Sequence, residues 1–141
     1  MVDDFAQQDI EGIMLLMAED AVYCDILGNG ARCDEYRGKA AIRGAFVRQF
    51  EMAGLHTYVG SKIMVEGNLA FASWILVLGD AADPSSPKFE GIDEFALDSS
   101  GQVVLKKAWL RGQPRLWRSL IRHNPTAAFR YIGYVLRTFG R

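Results

Sequence analysis

The stretch "KFEGIDEFALDSSGQVVLKKAWLR", residues 88–111, decides how this chain folds. Two runs rich in aromatic and β-branched residues flank "DSSG", a turn signal, which predicts strands at 88–98 and 103–111 joined by a reversal. Inside the first strand Asp93 and Glu94 stand side by side. Neighbours on a strand face opposite ways, so one carboxylate shares a side with Phe89, Gly91 and Phe95. A carboxylate on an interior side is costly unless something pairs with it or uses it.

Outward from this hairpin the same grammar continues. "LAFASWILVL", 69–78, is a strongly apolar strand, and "DAADPSSP", 80–87, is a polar loop after it. "EGNL", 66–69, carries the turn before it, and 55–66 reads as another strand. "AVYCDI", 21–26, is a short strand and "GNGARCDEYRG", 28–38, a loop. Ile10, Ile13, Met14 and Met17 mark one apolar helix face, with Asp9 as its N-cap and a shorter helical piece before it from Val2 to Gln7. Ile42, Phe46 and Phe50 mark a second amphipathic helix over 39–53. Beyond Arg111 the pattern is helical again: Leu116, Leu120 and Ile121 form one face. Asn124 followed by Pro125 looks like an N-cap and first helical position, and Phe129, Ile132, Leu136 and Phe139 recur behind it.

Consecutive strands joined by short turns predict a curved antiparallel sheet. Helices gathered at the N-terminus cover one of its faces, giving an α+β cone whose open mouth suits a small ligand. If Asp93 faces in, so do Gly91, Phe95 and Leu97. On the preceding strand, Phe71, Ser73, Ile75 and Val77 share one face, and Ala70, Ala72, Trp74, Leu76 and Leu78 the other. Both faces are apolar, as expected for a sheet covered by helices on one side and a subunit partner on the other.

The chain has 141 residues, half of them hydrophobic and 23% charged, which suits one globular domain. No apolar run approaches the roughly 18 residues a membrane span needs. The acidic start "MVDDFAQQD" lacks a signal-peptide layout. Cys24 and Cys33 are too few for a disulfide framework, so free thiols and a cytoplasmic location are expected. Residues 1–98 hold all 17 acidic residues against 7 basic ones, whereas residues 99–141 hold 9 basic residues and no acidic one. Such a split predicts a basic tail with a partner.

The sequence carries no phosphate loop, no dinucleotide fingerprint, no nucleophile elbow and no metal-ligand spacing. His56 and His123 stand far apart, and no cofactor or metal is expected. The remaining chemical candidates are carboxylates. Asp25 closes an apolar strand, where it would either start a turn or serve a site; Asp93, mid-strand, would either pair with an arginine or serve the same site.

At these residues the chain resembles a known family. "DIEGIMLLMAEDAVYCDILG" (9–28), "RGKAAIRGAF" (37–46) and "GIDEFALDSSGQVV" (91–104) are similar to the ketosteroid isomerase and SnoaL-like polyketide cyclase branch of the NTF2-like superfamily. The resemblance covers roughly residues 2–111, which makes residues 112–141 a basic, aromatic helical extension. It implies that Asp25 is a general base and that Asp93 is held protonated and donates a hydrogen bond to a substrate oxygen. It implies an apolar small-molecule substrate and a homodimer formed through the sheet. A binding or dimerisation module without catalysis, and a cyclase or dehydratase, are the alternatives it leaves open.

The family's first-helix tyrosine donor falls in register on Met1, and a position that is Tyr in some relatives is Phe46. Tyr23, Tyr58 and Trp109 are candidate replacements. Phe46, Phe71, Ile75 and Phe95 complete the expected pocket lining. The tail mixes arginines with aromatic and aliphatic residues. It is expected to pack on protein or cap the mouth, with contact to a membrane surface as another reading and nucleic acid as none.

Overall fold

A computed structural model describes residues 1–25, 33–111 and 113–139, without the side chains of residues 2, 113, 114, 135 and 137–139. Two short helices open the chain, α1 (Val2–Gln7) and α2 (Ile10–Leu16). The Asp9 side chain caps α2 by accepting from the Gly12 N–H at 2.9 Å, as its sequence position predicts. At Gly12 a Cβ would lie 2.6 Å from that same carboxylate, so the cap requires a residue without one.

Strand β1 (Met17–Cys24) starts earlier than its expected position at 21. Met17, expected on the helix face, is the extended residue that ends α2. β2 (Glu35–Arg37) lies inside the segment expected to be loop and pairs antiparallel with the end of β1. Next come α3 (Lys39–Ala53), β3 (His56–Glu66), β4 (Leu69–Leu78), β5 (Lys88–Leu97) and β6 (Val103–Leu110), each within a residue of its expected bounds. The tail forms α4 (Gln113–His123), α5 (Pro125–Arg130) and α6 (Ile132–Phe139). Asn124 caps α5 by accepting from the Ala127 N–H, with Pro125 in the first turn.

The six strands make one curved, unclosed sheet in the order β2-β1-β6-β5-β4-β3. The ladders are antiparallel except where β1 runs parallel to β6. That parallel pair is reached by the long path through α3 and the meander, so short turns did not announce it.

The concave face carries Ala72, Trp74, Leu76 and Leu78 of β4 beside Phe89, Gly91, Asp93 and Phe95 of β5. Gly91 pairs with Trp74, and a Cβ on it would fall 2.1 Å from the indole. The glycine is the space into which Trp74 lies. Helices α1–α3 pack on one half of this face through Phe5, Ile13, Ile42, Phe46 and Phe50, with Phe5 edge-on to Phe46 at 5.1 Å between ring centres. The tail covers the other half: Leu116, Trp117, Leu120 and Tyr134 pack on Met52, Trp74, Leu76, Leu78 and Phe89.

The cysteines correct an expectation. Cys24 and Cys33 form a disulfide, because the β1–β2 hairpin brings their Cα atoms to 5.2 Å. The free thiols on which the cytoplasmic reading rested are absent, since no cysteine is unpaired. Among the described residues no helix is long and apolar enough to cross a membrane.

Candidate functional site

Three neighbouring strands bring the two aspartates together. Asp93 pairs with Ala108 in the β5–β6 ladder. Asp25 directly follows Cys24, which pairs with Lys107 in the β1–β6 ladder. Both aspartates therefore project from the concave face on either side of Ala108. Both are buried, at 3% and 7% exposure, in a protein where most carboxylates are in water. Glu94 points to the other face and meets Lys107 at 3.9 Å.

Each aspartate has its own partners. Asp25 accepts a hydrogen bond from the Tyr134 hydroxyl at 2.8 Å and has a longer contact with the Tyr23 hydroxyl at 3.4 Å. The Arg48 guanidinium stands 3.7 Å from it, lies over the Tyr134 ring and donates to the Tyr36 hydroxyl at 2.6 Å. Burial opposes the charge on Arg48, but Tyr36, Tyr134 and Asp25 around it outweigh that and hold its pKa above the usual value. The Tyr134 hydroxyl is pushed up strongly by burial and by the Asp25 charge, so it stays a donor.

Asp93 meets the Lys106 ammonium at 2.8 Å. Lys106 is itself buried, at 2% exposure, with the rings of Phe5, Tyr23 and Phe95 about 5 Å from its nitrogen. The Lys106 nitrogen there pairs with the carboxylate and faces aromatic π-systems. The contact is one of charge: Asp93 Oδ1 has no hydrogen-bond donor placed in line with it among the described residues.

Gln49 ties the two halves together. It accepts from the Tyr23 hydroxyl at 3.0 Å and lines the same cavity as Tyr58. Burial raises the Tyr58 pKa far above that of a free phenol, and the charges of Asp93 and Asp25 both push the same way. Tyr58 thus lies within electrostatic reach of both carboxylates.

A cavity of about 20 Å³ lies beside Asp93 and Lys106, lined also by Met1, Phe5, Gln49, Tyr58, Trp74, Phe95 and Ala108, and Asp25 does not border it. That is room for about one water. The site is closed as it stands, and a larger ligand requires the helices over it to give way.

Of the expected site residues, Asp25, Asp93, Tyr23, Phe46, Tyr58 and Phe95 gather on the concave side. Phe71, Ile75 and Trp109 do not. Phe71 pairs with Glu94, Ile75 with Glu90, and Trp109 with Ile92, so all three lie on the convex face. Ile75 and Trp109 instead line a larger, open groove of about 610 Å³ that contains neither aspartate. Both faces of β4 are apolar, so alternation alone did not say which face was inner.

The sequence reading missed Lys106, Gln49, Arg48 and Tyr134. Gln49 was legible, because it falls between Phe46 and Phe50 on the inward side of α3. Lys106 was not, because "LKKA" leaves open which lysine faces in. Tyr134 sits in the tail, beyond the matched region. Among the described residues one group of metal-type ligand atoms, from Cys24, Cys33 and Glu35, lies within 4.8 Å of one another, but its two sulfurs are bonded to each other.

Comparisons with known proteins agree on the architecture. The family described as SnoaL-like domain matches residues 1–105. No curated protein matches significantly. An NTF2-like protein of unknown function from Mesorhizobium loti is similar in structure with a TM-score of 0.63 and 16% identity, over 78% of this chain and 84% of that one. A steroid delta-isomerase from Pseudomonas aeruginosa is similar with a TM-score of 0.60 and 17% identity, over 94% and 87%. SalBIII, an epoxide hydrolase/cyclase-like enzyme of pyran ring formation in salinomycin, is similar with a TM-score of 0.60 and 17% identity, over 79% and 84%. At these identities the likeness is one of fold.

Proposed function

This chain belongs to the SnoaL-like domain family, and from that premise and its concave site we propose that it is a small-molecule enzyme that moves a proton next to a carbonyl of an apolar substrate. Asp25 is the base. It takes a proton from the carbon beside the carbonyl and returns it to a second carbon of the same molecule. The electron pair left behind moves onto the carbonyl oxygen, where a positive or hydrogen-bonding pole must meet it. Asp93 was expected to be that pole as a neutral acid. With Lys106 at 2.8 Å from Asp93, the ammonium takes the donor role and Asp93 orients it.

The observation that carries this reading is the placement of two buried aspartates on one face, either side of Ala108, against aromatic walls. The isomerase and the cyclase-like enzyme among the structural relatives support the same class of chemistry. The test is the ultraviolet absorbance of a β,γ-unsaturated 3-ketosteroid mixed with the wild type and with Asp25→Asn. A rise in conjugated enone with wild type alone is expected. Equal rates for both proteins would remove Asp25 as the base.

A second reading is a ligand-binding module without turnover. It is favoured by one feature: Tyr134 already occupies Asp25, and the cavity holds no more than about one water. The ketosteroid experiment separates the two readings when paired with a fluorescence binding titration of a phenolic steroid. Binding without turnover in the wild type would favour the module.

The convex face is proposed as a homodimer surface. Met64, Phe71, Ile92 and Trp109 are exposed there, and so large an apolar patch calls for a partner.

A further inference from the structure

The tail has two faces, and its outward face is unlike the rest of the surface. On α4 the apolar residues Leu116, Trp117 and Leu120 turn toward the body, while Arg115, Arg118 and Arg122 recur at i, i+3 and i+7 on the opposite side, all exposed. None of these three arginines has an ion-pair partner among the described residues. Neighbouring cations are already matched to the acidic body: on β6 and just after it Lys106 to Asp93, Lys107 to Glu94 and Arg111 to Glu90, and in the tail Arg130 to Glu51.

On α5 and α6 the exposed large residues are apolar. Phe129 at the end of α5 and Ile132 and Leu136 on α6 are exposed at 79%, 46% and 63%, while Tyr134 faces the body. A residue as large as Phe129 left mostly in water, with two more exposed apolar residues on the next helix, is a surface without its partner.

We propose that this face docks on the surface of a bilayer containing anionic phospholipid. The arginine row meets phosphate and carboxylate headgroups, and Phe129, Ile132 and Leu136 enter the boundary between headgroups and acyl chains. Charge complementarity chooses this occupant. Residues 99–141 contain no acidic side chain that an anionic surface would repel. Asp93, Glu94, Glu90 and Glu51 hold Lys106, Lys107, Arg111 and Arg130, and the α4 row is left without an ion pair among the described residues. A second copy of the chain has a different apolar surface available on the convex face of the sheet. Among the described residues no helix is long and apolar enough to cross, so contact is peripheral. The proposal stands apart from the chemistry at Asp25 and does not depend on it.

The test is sedimentation of the full chain with vesicles of phosphatidylcholine alone and of phosphatidylcholine with phosphatidylserine, at about 0.1 M salt, where screening acts over about 10 Å. Wild type is expected to pellet with the anionic vesicles only, and to be released at high salt. Arg115→Gln/Arg118→Gln/Arg122→Gln and Phe129→Ser/Ile132→Ser/Leu136→Ser should each lower binding at least tenfold with unchanged circular dichroism. Should a variant misfold, hydrogen exchange on the wild type decides: amides of residues 129–136 should gain protection on anionic vesicles. Three results would overturn the proposal. One is wild type remaining in the supernatant. Another is binding that needs the arginines, ignores the three apolar residues and is matched by duplex DNA, which marks a general polyanion site. The last is a variant of the apolar residues that changes the molecular mass in solution and leaves vesicle binding intact, which marks a contact between copies.

Discussion

Lys106 changes what the concave face can do. With Asp93 alone, an apolar site would need a neutral acid to meet a developing oxyanion. With an ammonium at 2.8 Å, a positive charge is already in place. The prediction at this scale concerns turnover. Lys106→Met should lower kcat by about 10²- to 10³-fold, the usual cost of losing one oxyanion donor, and should do so with little change in KM. Lys106→Arg, which keeps the charge but not its position, should recover part of the loss. Steady-state kinetics of both variants on the ketosteroid check this, and an unchanged kcat in Lys106→Met would remove the lysine from the chemistry. Asp93 stood out in the sequence as a carboxylate inside an apolar run and Asp25 as one that closes such a run, and it was the family resemblance that singled out the pair. Their partners were not legible, because a lysine in "LKKA" and a tyrosine in a helical tail look like ordinary surface residues until the ladder and the tail's docking are known.

At the scale of elements, period-two and period-3.6 patterns gave α3, β3, β4, β5 and β6 nearly to the residue, and the caps at Asp9 and Asn124 held. The failures come from tertiary pairing. β2 is three residues that exist as a strand only because β1 lies beside them. The disulfide exists because that hairpin aligns two cysteines nine residues apart.

The junction where α1 meets the start of β3 carries a pH dependence. His56 is buried, with Nδ1 2.7 Å from the Gly54 carbonyl oxygen, the side chain of Gln8 close by, and Nε2 without a partner among the described residues. Burial lowers its pKa from 6.5, the bond to Gly54 works the other way, and His123 adds to the lowering. The unfolded chain therefore takes up this proton at a higher pH than the folded one. The neutral ring's contribution to stability is present above about pH 6.5 and is lost as pH falls through the folded value. Urea unfolding between pH 7.5 and 5 should show wild type losing stability over that window with a steeper slope than His56→Phe. Parallel slopes would mean that His56 is not the group responsible.

For the whole molecule the question is whether the tail is an appendage or part of the fold. The resemblance in sequence stops near Arg111, and the family match stops at residue 105. That boundary suggests a unit that folds without the tail helices. The packing argues the reverse. Leu116, Trp117, Leu120 and Tyr134 are each no more than 7% exposed, and beneath them lie Met52, Trp74, Leu76, Leu78 and Phe89. Asn124 and Tyr131 add hydrogen bonds to Glu51 on α3, through its backbone carbonyl and its carboxylate. Burying a large apolar side chain stabilises by about 1.5–3 kcal/mol, so four such residues approach the whole stability of a domain, about 5–15 kcal/mol. A chain ending at Arg111 should therefore melt far below the full chain, or fail to fold cooperatively, with Trp74 fluorescence shifted toward that of a solvated indole. Thermal unfolding of the two chains side by side decides. A full-length melt reproduced by residues 1–111 would make the tail an appendage, and the Tyr134 bond to Asp25 an incidental contact. A collapse of the shorter chain would make the tail the second wall of the cone, which any ligand approaching Asp25 must first displace.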